Sequence, residues 1–327
     1  MKIGFIGLGI MGKPMAKNLL KAGYELNIYD INEAAVEEVK AAGGKPCSTS
    51  AEVASLSDIV LTMLPNSPHV KNALLEKDGV LEGMKKGTII VDMSSIDPTV
   101  SVELEKAVTA AGGEMIDAPV SGGEPKAVDA TLSFMCGGKE EVFEKVRPIL
   151  EKMGSSVVLV GPIGSGNMTK LANQIIVAVN IAALSEAMVL AAKSGVNPEN
   201  VYKAIRGGLA GSTVMDAKAP MILDRNFNPG FRIELHIKDL TNAMNASEAV
   251  GMELPMAEKV LEMMKQLQEE GMGKCDHSAV VRYYEEKEGV EVKRGENAEK
   301  GAEGKGMSAE ANKGYSNEAW VLSEYAG

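Results

Sequence analysis

The stretch Lys2-Ile3-Gly4-Phe5-Ile6-Gly7-Leu8-Gly9-Ile10-Met11-Gly12 decides the fold. The apolar run 2–6 reads as a buried strand, and the GxGxxG after it opens a helical pattern over 11–22, where Met15, Leu19 and Leu20 recur at helical spacing before Gly23. In a strand-turn-helix unit of this kind Gly7 permits the tight turn, Gly9 lets a pyrophosphate approach the main chain, and Gly12 lets helix and strand pack closely. Free N–H groups at the helix start then face the diphosphate, so Gly7, Leu8, Gly9, Ile10, Met11 and Gly12 are candidate cofactor contacts.

The next strand, 25–29, ends at Asp30, 18 residues past Gly12, where an acceptor for ribose hydroxyls is expected. A carboxylate there disfavours a 2′-phosphate, so NAD is the expected cofactor, with NADP possible; alternatively Asp30 merely starts a turn. Further strands are expected at 59–63, 88–92, 114–117, 133–136 and 156–159, alternating with amphipathic stretches. The class is α/β: a Rossmann-type, mostly parallel sheet over 1–162.

After Gly161-Pro162 the texture changes. Residues 165–193 carry an unbroken apolar pattern at helical period, and further helices are expected at 200–207, 212–221, 235–250 and 255–270. An all-α domain over 163–292 follows from this, entered through one long helix. Its apolar surface is expected to meet a partner subunit, giving a homodimer or homotetramer. From 293 to 327 periodicity is lost, which predicts a poorly ordered low-complexity tail, with Trp320, Val321, Leu322 and Tyr325 as a segment able to dock.

Composition narrows the function. With 327 residues, Lys+Arg 34 against Asp+Glu 45 and a net charge of −11, the surface repels nucleic-acid phosphates and anionic lipid, so neither is an expected partner. No apolar stretch is expected to reach the ~20 residues of a membrane span. Cys47, Cys136 and Cys275 suit neither a disulfide framework nor a zinc site, and His69, His236 and His277 share no metal-ligand spacing; no metal is expected, and the cytoplasm is the expected home. The amino end carries no signal-peptide pattern.

The second informative stretch is Gly164-Ser165-Gly166-Asn167-Met168-Thr169-Lys170-Leu171-Ala172-Asn173. Asn167 reads as an N-cap, placing Lys170 in the first helical turn with Asn173 beside it at i+3. A cation at that end of a helix has its pKa lowered, and a partly desolvated ammonium can protonate a carbonyl oxygen; a solvent-facing lysine is the plain alternative. Asp117-Ala118-Pro119-Val120-Ser121-Gly122-Gly123 either offers a hydroxyl and N–H groups to a carboxylate or forms a flexible turn. Lys238, in His236-Ile237-Lys238-Asp239, is either a solvated charge or a ligand contact.

Together with Lys238-Asp239-Leu240, these motifs resemble the β-hydroxyacid dehydrogenase family over residues 1–292. The runs 63–70 (Met63 to Val70) and 206–213 (Arg206 to Thr213) resemble its tartronate semialdehyde branch. The resemblance implies Lys170 as catalytic acid/base, Asn173 orienting a small carboxylate semialdehyde, Ser121, Gly122 and Gly123 holding its carboxylate, and Leu64, Pro65 and Ser95 lining the dinucleotide. Lys238 would sit near the nicotinamide, with Asp239 orienting it. The implied reaction is NAD(P)H-dependent reduction of 2-hydroxy-3-oxopropanoate to glycerate. Alternatives are a relative acting on 3-hydroxyisobutyrate or a short semialdehyde, or a dinucleotide sensor, which would not require the Lys170/Asn173 pair.

Overall fold

The computed structural model describes residues 1–295. The expected docking of Trp320, Val321, Leu322 and Tyr325 lies outside the described residues, as does the tail from 296 onward.

Nine strands form one sheet: β1 (Ile3–Ile6), β2 (Leu26–Tyr29), β3 (Lys45–Pro46), β4 (Ile59–Thr62), β5 (Ile89–Asp92), β6 (Glu114–Asp117), β7 (Val120–Ser121), β8 (Leu132–Gly137) and β9 (Gly154–Gly161). Their order is β3-β2-β1-β4-β5-β6-β8-β7, with β9 pairing β8. All pairs are parallel except β6 with β8 and β7 with β8. The first six strands follow the doubly wound Rossmann order, whose direction reverses between β1 and β4; ligands of such sheets bind at the carboxyl ends of the strands there. Both faces are buried. Ile3, Phe5, Ile59, Leu61 and Val91 enter one core and Ile6, Val60, Ile90 and Met115 the other, which is why these strands are continuous apolar runs rather than alternating ones.

The sequence gives no sign of β3 or β7, each two residues long. At β7 the chain is sheet and not the flexible turn that is one of the two alternatives for this stretch, because Ser121 lies opposite Ser133 and Met135 N–H donates to the Pro119 carbonyl.

Beyond β9, the described residues contain helices and one isolated bridge, Arg232 with Asp276. The long helix spans Ser165–Lys193, as expected. The later helices are Pro198–Ile205, Thr213–Leu223, Ile233–Ala249, Pro255–Leu267 and Val281–Glu288; Asn197 and Ser212 cap the first two.

Among the described residues the chain forms two compact units, 1–182 with 227–280, and 183–226 with 281–295. In the first, Leu171 of the long helix packs with Ala243 and Ala246 of Ile233–Ala249. In the second, Arg225 makes a two-pronged bond to the buried Glu285 carboxylate, which also accepts the Val292 N–H.

The helix Ser165–Lys193 is long and apolar enough, by length and composition, to cross a bilayer, which corrects the sequence expectation. Past Lys170 its first charged residue is Glu186, and scattered amides do not offset its aliphatic content. Its Leu171, Ala178, Ile181, Leu184 and Met188 are buried within the protein, the behaviour of a core helix.

Candidate active site

The glycine turn divides into two roles. Gly7 has φ +95°, and a Cβ there would stand 2.3 Å from the Met63 carbonyl oxygen; one on Gly12 would stand 1.9 Å from the Gly7 oxygen. These two glycines are required by the fold itself. A Cβ on Gly9 would meet nothing within 4 Å, and its φ is not in the left-handed region, so nothing inside the chain demands glycine there. The open space above Gly9 fits a group from outside the chain. The helix Gly12–Lys21 has no side-chain cap and no acid in its first turn, which leaves its positive end open to an anion. A cavity of about 320 Å³ opens beside Leu8, Gly9, Ile10 and Asn32. Asp30 Oδ2 accepts the Leu8 N–H at 2.5 Å and Oδ1 the Asn32 N–H at 2.7 Å, so this carboxylate also ties β2 to the turn.

At the carboxyl ends of β4 and β5 the loops are joined. Leu64 N–H donates to Ser94 Oγ at 2.9 Å. Lys238 Nζ donates to the Ser95 carbonyl at 2.7 Å and the Pro65 carbonyl at 3.2 Å, and stands 2.9 Å from Asp239 Oδ1. It is therefore not a free helix charge: it clamps the two loops that bear Leu64, Pro65 and Ser95.

Lys170 is buried, and its Nζ donates to Gln174 Oε1 at 3.0 Å. Asn173 Nδ2 donates to the same oxygen at 2.8 Å, and Ser121 Oγ to Asn173 Oδ1 at 3.3 Å. Gln174 Nε2 donates to Asp239 Oδ2 at 2.6 Å. One polar network thus joins Ser121, Asn173, Gln174, Lys170, Asp239 and Lys238. Gly122, at φ +139°, and Gly123, at φ +70°, follow Ser121 into the short helix Gly123–Val128.

Burial lowers the Lys170 pKa from 10.5 to about 8; Asp239 opposes the change and Lys238 adds to it. The direction matches the expectation, but the cause does not. Because the helix begins at Ser165, Lys170 lies in its second turn, where the macrodipole has faded.

Asn167 is likewise not the cap. It lies inside the helix, where its side chain accepts the Ile96 N–H and donates to Ser101 Oγ. The helix start is held by Asp117, whose Oδ1 accepts the Gly164 N–H at 2.7 Å and Oδ2 the Asn167 N–H at 2.6 Å. Asp92, in register beside Asp117, accepts from Thr62 Oγ1 and the Ser94 N–H through Oδ1 alone. Burial raises both carboxyl pKa values to about 6.

The residue the sequence did not single out is Gln174. Its neighbours Lys170 and Asn173 were the visible signal, but its role depends on Asp239, distant in sequence. The histidines His236 and His277, which share no metal-ligand spacing, are brought together with Nδ1 atoms 2.9 Å apart.

Residues 2–161 match the NAD-binding domain of 6-phosphogluconate dehydrogenase, and 164–284 the NAD-binding domain of NADP-dependent 3-hydroxyisobutyrate dehydrogenase. The chain is 43% identical over 285 residues to 2-hydroxy-3-oxopropionate reductase of Escherichia coli K12, covering 87% of this chain and 97% of that protein. It belongs to the β-hydroxyacid dehydrogenase family. This β-hydroxyacid dehydrogenase is 40% identical over 296 residues to 2-(hydroxymethyl)glutarate dehydrogenase of Eubacterium barkeri, covering 90% of this chain and 98% of that one. Its fold matches the 3-hydroxyisobutyrate dehydrogenase of Mycobacterium tuberculosis solved with L-serine, at TM-score 0.81 and 31% identity over 86% of this chain and 98% of that one. The dehydrogenase uses NAD(P), and the space over Gly9 and the uncapped helix beside it fit the dinucleotide.

Proposed function

We propose that this dehydrogenase reduces 2-hydroxy-3-oxopropanoate to glycerate, with NADH preferred over NADPH. The observation that carries the reading is a buried lysine ammonium bonded into a network with Ser121 and Asn173. The similarity to the E. coli reductase supports the choice of substrate, and the Asp30 carboxylate at the end of β2 supports NADH.

When bound, the reduced nicotinamide supplies hydride. Main-chain N–H groups of Gly9, Ile10, Met11 and Gly12 would hold the diphosphate, those of Gly7 and Leu8 being taken by the Tyr29 carbonyl and the Asp30 carboxylate; Asp30 would hold the ribose, and Leu64, Pro65 and Ser95 would line the remainder under the Lys238 clamp. Ser121, Gly122 and Gly123 bind the substrate carboxylate, and Asn173 orients the reacting group. Lys170 Nζ gives its proton to the substrate carbonyl oxygen as that oxygen gains negative charge. With Gln174 Oε1 taking one of its three N–H donors, the ammonium keeps others for that oxygen. Burial supports this role by bringing the lysine pKa near neutrality.

We also place the enzyme in the cytoplasm as a homodimer or homotetramer joined through the long helix, whose Ile176 and Leu190 stand exposed.

The test is a panel of small semialdehydes with NADH and with NADPH, followed by loss of the reduced nicotinamide absorbance. The reading expects the highest kcat/KM for 2-hydroxy-3-oxopropanoate with NADH. A higher value for 2-methyl-3-oxopropanoate, the aldehyde that is reduced to 3-hydroxyisobutyrate, would overturn the substrate.

A further inference from the structure

We propose that His277 and His236 form a buried donor chain that positions Lys170 through the main-chain carbonyl of Gln174. The inference rests on Lys170 as the proton donor above.

Both imidazoles are buried. His236 Nε2 stands 3.1 Å from the Gln174 carbonyl oxygen, and its Nδ1 stands 2.9 Å from His277 Nδ1. A carbonyl only accepts, so the Nε2 proton belongs to His236. In the neutral ring Nδ1 then has only a lone pair, and the proton between the two rings belongs to His277. The donor order is therefore His277 to His236 to Gln174. The residue that receives this chain at its carbonyl is the one whose amide oxygen holds Lys170 Nζ and whose amide nitrogen is fixed by Asp239.

The far end is anchored as firmly. Phe231 meets both imidazoles edge-on, with ring centroids 5.6 Å from His236 and 5.3 Å from His277. Asp276 accepts the Gly230 and Phe231 N–H groups, each at 3.0 Å, and the Ser278 N–H at 2.9 Å, while His277 N–H donates to the Phe231 carbonyl at 2.9 Å. Charged groups bonded into this assembly include Lys170 and Asp239, through Gln174, and Asp276, which holds the Phe231 turn. Two buried imidazoles are costly unless paired, and apolar side chains would fill the same space without that cost; their pairing is explained by what it holds in place.

The test compares His277→Phe, which removes the donor, with His277→Asn, whose amide nitrogen reproduces the reach of Nδ1, and with Lys170→Ala in the same assay. His277→Phe is expected to lower kcat about tenfold while leaving NADH affinity within about twofold, as for an interaction that matters in the transition state. Water reaching a loosened Lys170 also moves the alkaline limb of the kcat profile upward, from about 8 toward 10.5. His277→Asn restores both. A folded His277→Phe enzyme with wild-type kcat and an unmoved limb would overturn the proposal. Nitrogen NMR of the histidine-labelled native enzyme decides the case if that variant does not fold. Protons on His236 Nε2 and His277 Nδ1 support the chain, and any other neutral tautomer pair overturns it. Because the NMR arm needs no substrate, its result is separate from failure of the proton-donor reading, which Lys170→Ala reports.

Discussion

Gln174 Nε2 donates to Asp239 Oδ2 at 2.6 Å, and this one bond fixes which way the glutamine amide faces. With nitrogen toward the carboxylate, the oxygen is turned to Lys170 and Asn173, both of which donate to it. Asp239 thereby acts on the lysine twice, by orienting its acceptor and by its charge.

Asp239→Asn is expected to lower the alkaline limb of the kcat profile, because Asp239 is the group that raises the Lys170 pKa against burial. Losing a bonded charge is also expected to reduce kcat by about tenfold, since an amide at that position no longer dictates the glutamine orientation. A pH series of initial rates on both enzymes checks it; an unmoved limb would remove Asp239 from the account.

The glycine turn makes a paired prediction. Gly9→Ala is expected to leave the melting temperature near that of the native protein and to weaken NADH binding about tenfold or more, since the added methyl enters the open space proposed for the diphosphate. Gly12→Ala is expected to destabilise the fold, because its Cβ would collide with the Gly7 carbonyl. Thermal melts with and without NADH separate the two.

Asp92 supplies a prediction about stability against pH. Burial raises its folded pKa from 3.8 to about 6, so its favourable contribution is full below the unfolded value and is lost as pH rises through about 6. That change amounts to about 3 kcal/mol. Asp92→Asn removes the titration and can keep the Oδ1 bonds to Thr62 and Ser94. Its melting temperature relative to the native protein is therefore expected to rise between pH 4 and pH 7. A constant difference across that range would contradict the assignment.

The direction of catalysis should respond oppositely to pH. With Lys170 as the proposed proton donor, reduction is expected to slow as pH rises through about 8, and oxidation of the hydroxyacid, with the neutral amine as proton acceptor, is expected to slow as pH falls through the same value. Forward and reverse pH profiles test this sign.

Much of the fold was legible because its signals are local. The strand 2–6, the glycine turn and the helix after it lie within one short stretch, and 165–193 declares itself by unbroken period. That Lys170 and Asn173 lie side by side is legible for the same reason, and both donate to Gln174 Oε1. What remained hidden depends on contacts distant in sequence. Asp117 caps the long helix from 50 residues upstream, whereas the local pattern points to the nearby Asn167. Asp239 reaches Gln174 across 65 residues and His277 reaches His236 across 41, separations at which neither period nor spacing carries a signal. Strand β7 is two residues long and exists only because β8 lies opposite it.

The most direct test of the central claim is Lys170→Ala, assayed with 2-hydroxy-3-oxopropanoate and NADH beside a binding titration of NADH alone. The account predicts kcat lower by about 10² or more with cofactor affinity within a few-fold of the native enzyme. Turnover near the native rate in that variant would contradict it.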